Sequence, residues 1–263
     1  MTSNSSQESP VANSSKEAIA EAKTEIFPGE VFANTADFDS GIRQLLPRYD
    51  EILDSLVRCI PGNSKQILEL GCGTGELSLK LLSRYREAEL VAVDYSSRML
   101  EVARTKIEAA GYAQRVKWIE ADFGNLANLQ VNIAPSAGFN ACVSSLAIHH
   151  LSDRMKLKLF GWICDNLAQG GCFWNADPVL PESPALTEVY KTVREEWAQA
   201  QGTTLTEVRA KLGKSVSQGY SSQDQLASLS AHLDMLKTAG FEVAEVPWKY
   251  FGLAVFGGFV SKA

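Results

Sequence analysis

The segment ILELGCGTGE, residues 67 to 76, decides the fold. An apolar run carrying the acid Glu69 ends at Leu70, and Gly71, Gly73 and Gly75 then lead into a helix that starts near Glu76. Glycines in that rhythm let the chain turn tightly from strand to helix and let a ligand approach the backbone with no Cβ in the way. Asp94 ends the next apolar run, where a carboxylate can accept both ribose hydroxyls of a nucleoside lying over the loop. A further acid, Asp122, ends the third run. A glycine loop alone is a weak signal, but the loop followed by two strand-end acids is a strong one. A dinucleotide fingerprint wants glycine where Glu76 stands, and a carboxylate at that helix start would oppose a pyrophosphate.

Outward from this segment, the runs QILEL (66 to 70), ELVAVD (89 to 94), VKWIEAD (116 to 122), FNACVSSLA (139 to 147) and GCFWNADPV (171 to 179) have the pattern of parallel strands buried on both faces. Amphipathic segments separate them. Ser96 is predicted to cap a helix carrying Met99, Leu100, Ala103 and Ile107, with Gly111 beyond its end. Ser152 is predicted to cap another carrying Met155, Leu159, Ile163 and Leu167, stopped by Gly170-Gly171. Such alternation predicts a doubly wound α/β sheet.

After Pro178 the pattern changes. Ser183-Pro184 opens a helix with a stripe of Leu186, Tyr190, Val193 and Trp197 ended by Gly202, and Thr204-x-x-Glu207 is a capping box for the next. These helices read as a lid inserted over residues 180 to 222, with Trp197 either facing the pocket or anchoring its own helix. Ser222-x-x-Gln225 is predicted to open a helix carrying Leu226, Leu229, Leu233 and Leu236, closed by Gly240. The final runs, FEVAEVPWKYF and LAVFGGFV, lie too close together for a right-handed crossover and are predicted to pair antiparallel. The expected architecture is a seven-stranded Rossmann-like α/β sheet over residues 66 to 263, preceded by a disordered tail (1 to 25) and a helical cap (26 to 65).

The chain has 263 residues, 45% apolar and 21% charged, which fits a globular protein and excludes a collagenous or wholly disordered one. A domain of about 250 residues buries roughly three-quarters of its unfolded surface and needs neither disulfides nor a structural metal. The net charge of −6 argues against non-specific binding to nucleic acid or an anionic membrane. Five scattered cysteines without a C-x-x-C pair suit a reducing cytoplasm, and no metal-ligand set is assigned. Neither a secretory signal nor a run of about 18 apolar residues is present in the sequence.

The motif Glu69-Leu70-Gly71-Cys72-Gly73-Thr74-Gly75, with Asp94 and Asp122 after the second and third strands, resembles that of the class I S-adenosylmethionine-dependent methyltransferases. The resemblance implies S-adenosyl-L-methionine as cofactor, its ribose at Asp94 with Tyr95 beside it, and its adenine amino group at Asp122 with Phe123 against the ring. It also implies the antiparallel final strand. Residues 34 to 262 are similar to a narrower branch containing carboxy-S-adenosylmethionine synthase and small-molecule methyltransferases. In that branch a tyrosine of the leading helix contacts the cofactor, which here is Tyr49, and an arginine in the insertion holds the extra carboxylate. The corresponding stretch, Lys214 to Tyr220, has no arginine, which favours ordinary S-adenosylmethionine.

Methyl transfer from a sulfonium needs an in-line nucleophile and a dry pocket, and a base only if the acceptor must lose a proton. Ser144-Ser145-Leu146-Ala147-Ile148-His149-His150 follows the fourth strand, at the carboxyl edge where open α/β sheets bind ligands. Ser145 is expected beside the methionine moiety. His149 and His150 are candidates for a general base or an acceptor-orienting donor, or for capping and packing, and Asp177 for binding the acceptor or capping its loop. The favoured reading is a cytoplasmic methyltransferase acting on a small-molecule acceptor, with a homodimer left open. The alternatives are a tRNA-modification enzyme and a non-catalytic cofactor-binding subunit.

Overall fold

Ile67, Leu68, Glu69 and Leu70 alternate across one strand, yet all four are buried, because helices cover both faces of the sheet at that point. This strand, β1 (Gln66–Leu70), lies within a seven-stranded sheet with β2 (Glu89–Asp94), β3 (Val116–Glu120), β4 (Phe139–Ser145), β5 (Leu167–Pro178), β6 (Val243–Tyr250) and β7 (Leu253–Phe259). The computed structural model describes residues 37–126, 133–212 and 224–261. The expected tail at 1 to 25 and the lid residues 213 to 222 lie outside the described residues, as does Ser222.

The strand order is β3-β2-β1-β4-β5-β7-β6. The strands β1 to β5 run parallel, and β7 runs antiparallel between β5 and β6. The winding reverses between β1 and β4, so the crevice beyond their carboxyl ends is the switch point at which such sheets bind ligands.

The helices are α1 (Phe38–Leu45), α2 (Tyr49–Arg58), α3 (Glu76–Arg84), α4 (Ser97–Ala109), α5 (Phe123–Leu126), α6 (Asp153–Asn166), α7 (Thr187–Ala200), α8 (Leu205–Leu212) and α9 (Leu229–Thr238). One face of the sheet meets Ile52, Leu56, Leu81 and Ile107, and the other meets Leu159, Phe160, Ile163 and Leu236. Ser96 Oγ and Ser152 Oγ accept the N–H of Met99 and Met155, each at 3.3 Å. The Thr204–Glu207 box closes reciprocally at 2.9 and 3.2 Å. Each such cap stabilises its helix by about 1 kcal/mol.

Two helix boundaries differ from expectation. The helix opened by Ser152 ends at Asn166, before Gly170-Gly171, because β4 captures Leu167 opposite Phe139 and starts β5 there. The helix expected from Ser222-x-x-Gln225 begins at Leu229, capped by Ser228 on the N–H of Ala231. Tertiary pairing overrides the local signal: Gln225 N–H donates to His149 O at 2.8 Å and Leu180 N–H to Ala227 O at 3.0 Å, holding this stretch extended. β3 and β4 also stop at Glu120 and Ser145, short of Asp122 and Ala147, leaving both to the turns over the crevice.

The inserted helices are docked, not free-standing. Trp197 Nε1–H donates to Arg43 O at 2.9 Å, so Trp197 anchors α7 on α1. Gly41 of α1 admits Leu212 of α8, since a Cβ there would lie 2.5 Å from a Leu212 methyl. Thus α1 is sandwiched between the insertion and the glycine loop.

Candidate active site

All three loop glycines have left-handed backbones, with φ of +72, +53 and +84 at Gly71, Gly73 and Gly75. They differ in what surrounds them. A Cβ on Gly71 would strike Ala147 Cβ at 2.4 Å and touch the Phe123 ring at 3.5 Å, whereas one on Gly73 would meet nothing within 4 Å. Gly73 therefore faces open space while Gly71 marks where the end of β1 passes the turn after β4.

Asp94 locks this loop. Its Oδ2 accepts the Gly73 N–H at 2.8 Å and its Oδ1 the Ser96 N–H at 2.9 Å. Burial raises its pKa, and the N–H groups of Ser96, Gly73 and Tyr95 oppose that shift. Asp122 and Phe123 begin the turn after β3, and Ser145 ends β4. These residues meet at one edge of the sheet.

Other expected loop contacts turn away from that edge. Glu69 is 1% exposed and accepts Ser78 Oγ–H at 2.5 Å; burial pushes its carboxyl to about 8. It braces β1 against α3 beneath the loop. Cys72 is buried in the apolar core, and burial pushes its thiol well up, so it fills space. Thr74 Oγ1–H donates to Asp39 Oδ1 at 2.5 Å, facing α1. Only the backbone of Cys72 and Thr74 is left to line the loop. Tyr49 is buried in the core, with the Arg43 guanidinium 5.3 Å above its ring.

An ion cluster that local patterns do not reveal fastens α1 to the loop helix. Arg43 bonds Glu76 at 2.6 Å and Asp50 at 3.0 Å; Lys106 bonds Glu76 at 2.9 Å and also Asp39. Burial pushes the Glu76 carboxyl up, but Arg43 and Lys106 outweigh it and hold the group below its ordinary range. The members come from four helices, so only the tertiary fold shows the cluster.

A second group of the expected residues lies on the turn after β4. Leu146 has φ +55, an unusual backbone for a non-glycine, and is held by its N–H bond to Ala176 O at 2.8 Å. Ser144 Oγ–H donates to Leu70 O at 2.8 Å and is structural; Ser145 Oγ is buried with no partner among the described residues. His149 Nδ1 lies 2.7 Å from Asp177 Oδ1, and Asp177 Oδ2 accepts Asn175 Nδ2–H at 2.8 Å. With the Nδ1–H assigned to the carboxylate, the Nε2 lone pair of His149 is available. Burial pushes Asp177 up, yet its pairing with His149, helped by the Asn175 hydrogen bond, holds its carboxyl below the usual range.

His150 packs against His149 with centroids 4.0 Å apart and the rings tilted by 44°, and burial together with that neighbour pushes it down to about 4. His150 thus stays neutral at physiological pH, and His149, not His150, has the buried carboxylate that orients a base. Asp224, which no sequence motif flagged, reaches the same pair: its Oδ1 is 3.8 Å from His149 Nε2 and 3.5 Å from His150 Nδ1. Arg194 of α7 was also missed; its Nε is buried with no partner among the described residues.

Comparison with known proteins shows what the chain is similar to. The family described as "Methyltransferase domain" matches residues 67–171. The carboxy-S-adenosyl-L-methionine synthase of Nautilia profundicola is 24% identical over 227 residues, 84% of this chain and 90% of that protein. The Campylobacter hominis protein of the same name is 27% identical over 247 residues, 89% and 98% of the two chains. An O-methyltransferase family protein from Burkholderia thailandensis shares the fold with a TM-score of 0.60 at 14% identity, covering 86% of this chain and 58% of that one. Among the described residues, no helix is long and apolar enough to cross a membrane.

Proposed function

We propose, from the premise that this chain is a class I S-adenosylmethionine-dependent methyltransferase, that it methylates a hydroxyl of a small-molecule acceptor, with His149 taking the proton. The observation that carries this reading is the 2.7 Å contact between His149 Nδ1 and the fully buried Asp177. A carboxylate, thiolate or neutral amine acceptor needs no base, so an oriented and charge-supported imidazole suits an acceptor that must be deprotonated.

The crevice fits S-adenosylmethionine on two counts: among the described residues, open space in front of Gly73 and an unpartnered Ser145 Oγ at the end of β4. Gly71, Gly73 and Gly75 would hold it through their backbone, Asp94 and Tyr95 at the ribose, Asp122 and Phe123 at the adenine, and Ser145 at the methionine portion. Glu69, Cys72 and Thr74 would shape the loop from behind, and Tyr49 would support its helix. Bound there, the cofactor supplies a methyl group on a sulfonium. His149 accepts the acceptor's proton at Nε2, Asp177 stabilises the resulting imidazolium, and Asn175 fixes Asp177. The docked helices α7 and α8 exclude water.

A second reading, a carboxy-S-adenosylmethionine synthase-like enzyme of tRNA modification, is favoured by relatives of that name matching along nearly their whole length. The absence of arginine from Lys214 to Tyr220 speaks against it. Incubation with isotopically methyl-labelled S-adenosylmethionine and fractionated phenolic or alcoholic metabolites, with tRNA in parallel, tests the proposal. Label in an O-methyl product supports it; label only in tRNA, or release of mainly the carboxylated cofactor from purified protein by mass spectrometry, overturns it.

A further inference from the structure

Three donors of different polarity converge beside the acceptor turn. His149 Nε2, His150 Nδ1 and Asp224 Oδ1 lie within 4.8 Å of one another, two of the edges being 3.8 and 3.5 Å. With Nδ1–H donated to Asp177, His149 points a bare lone pair at a carboxylate oxygen. Two acceptors then face each other across a gap too long for a hydrogen bond, an arrangement that a shared cation relieves.

We propose that His149, His150 and Asp224 form a binding site for a divalent transition-metal ion, with zinc the ion that the donor set suits. Donors held about 2.0 to 2.2 Å from zinc in a tetrahedron sit roughly 3.3 to 3.6 Å apart, so the site closes with small side-chain adjustments. Two imidazoles and one carboxylate leave a coordination position open. The outer support that metal-bound histidines require is already in place, since Asp177 fixes the His149 ring and Asn175 fixes Asp177.

Asp224 does not hang free of this cluster. The next residue, Gln225, donates its N–H to His149 O at 2.8 Å, and its carbonyl accepts the buried Lys156 Nζ at 2.5 Å. The chain following the insertion is therefore pinned against the histidine turn, so a bound ion would tie together two segments distant in sequence. Arg194 lies in the electrostatic field of Asp224 and opposes a cation. A three-ligand site with such a neighbour should bind less tightly than a closed four-ligand one. The metal and an acceptor proton would compete for the same Nε2 lone pair; that consequence rests on His149 being the base, whereas metal binding itself does not.

The test is titration of chelator-treated, desalted full-length protein with Co²⁺, followed by visible absorption, and displacement by Zn²⁺. The expected result is one ion per chain with d–d bands of a nitrogen and oxygen site, at least tenfold weaker in both Asp224→Asn and His150→Gln. Melting temperature and S-adenosylhomocysteine binding report whether those variants remain folded. No saturable binding, binding unaffected by either variant, or an intense thiolate charge-transfer band placing the metal on cysteine would overturn the proposal. Because the readout involves no turnover, its outcome is separate from that of the methyltransferase reading.

Discussion

A methyl group added to Gly71 would lie 2.4 Å from Ala147 Cβ, so the glycine loop and the acceptor turn touch at these two residues. Gly73, two residues on, has the same handedness of backbone, but a Cβ added there would meet nothing within 4 Å.

The two glycines should consequently fail in different ways. Gly71→Ala combines left-handed strain, about 1 to 2 kcal/mol, with overpacking of roughly 1 to 3 kcal/mol, and should lower the melting temperature. Gly73→Ala carries the strain alone and should remain folded, yet lose cofactor affinity because its Cβ enters the space that a ligand needs. Thermal melts and calorimetry with S-adenosylhomocysteine separate the two; equal destabilisation with unchanged affinity would contradict the assignment.

Asp94→Ala removes a proposed ribose acceptor and releases the loop N–H groups of Gly73 and Ser96 together. The expected loss is about 1.5 to 3 kcal/mol of binding, or roughly one to two decades in Kd. Asp94→Asn, which keeps one acceptor oxygen, should lose less. Titration calorimetry showing wild-type affinity in the alanine variant would refute the site.

For the proposed base, His149→Gln should lower kcat by about 10² to 10⁴, and Asp177→Asn should lower it by disturbing the imidazole tautomer. His150→Gln should cost far less. Near-normal turnover of His149→Gln across the pH range would leave desolvation and positioning as the better account.

The third histidine gives a stability prediction. His232 is fully buried between Phe160 and Phe256, and burial pushes it down to about 4. The folded protein holds the neutral ring while the unfolded chain takes a proton near the ordinary value of 6.5. Its contribution to stability is therefore present above about pH 6.5 and is lost as pH falls from there to about 4, amounting to roughly 3 kcal/mol in full. Denaturant melts of His232→Leu should show a shallower loss over that window; identical slopes would mean that His232 is protonated in place.

The sheet and the glycine turn after β1 were legible because short-range chemistry encodes them. Strands covered on both faces read as apolar runs, Ser96 and Ser152 announce their helices within one turn, and glycine loops cannot be built from other residues. What escaped was set by contacts between distant segments. Ser222 and Gln225 look like a helix start, but His149 claims the Gln225 N–H and keeps the chain extended. Glu69 and Thr74 belong to the motif, yet Ser78 and Asp39 decide where their side chains go. Arg43, Lys106, Arg194 and Asp224 carry no local signature, and their surroundings exist only once distant segments have packed.

The placing of β7 sets a schedule for synthesis. It is translated after every other strand of this chain but occupies an interior position, pairing Asp177 with Ala254 on one side and Trp248 with Val255 on the other. Until those residues leave the ribosome, β5 is a raw edge and the backbone carrying Asp177 is unpaired on that side. A nascent chain arrested before residue 253 would hold its glycine loop in place while the carboxylate behind His149 stayed unanchored, and would expose a sticky strand to its neighbours on the same messenger.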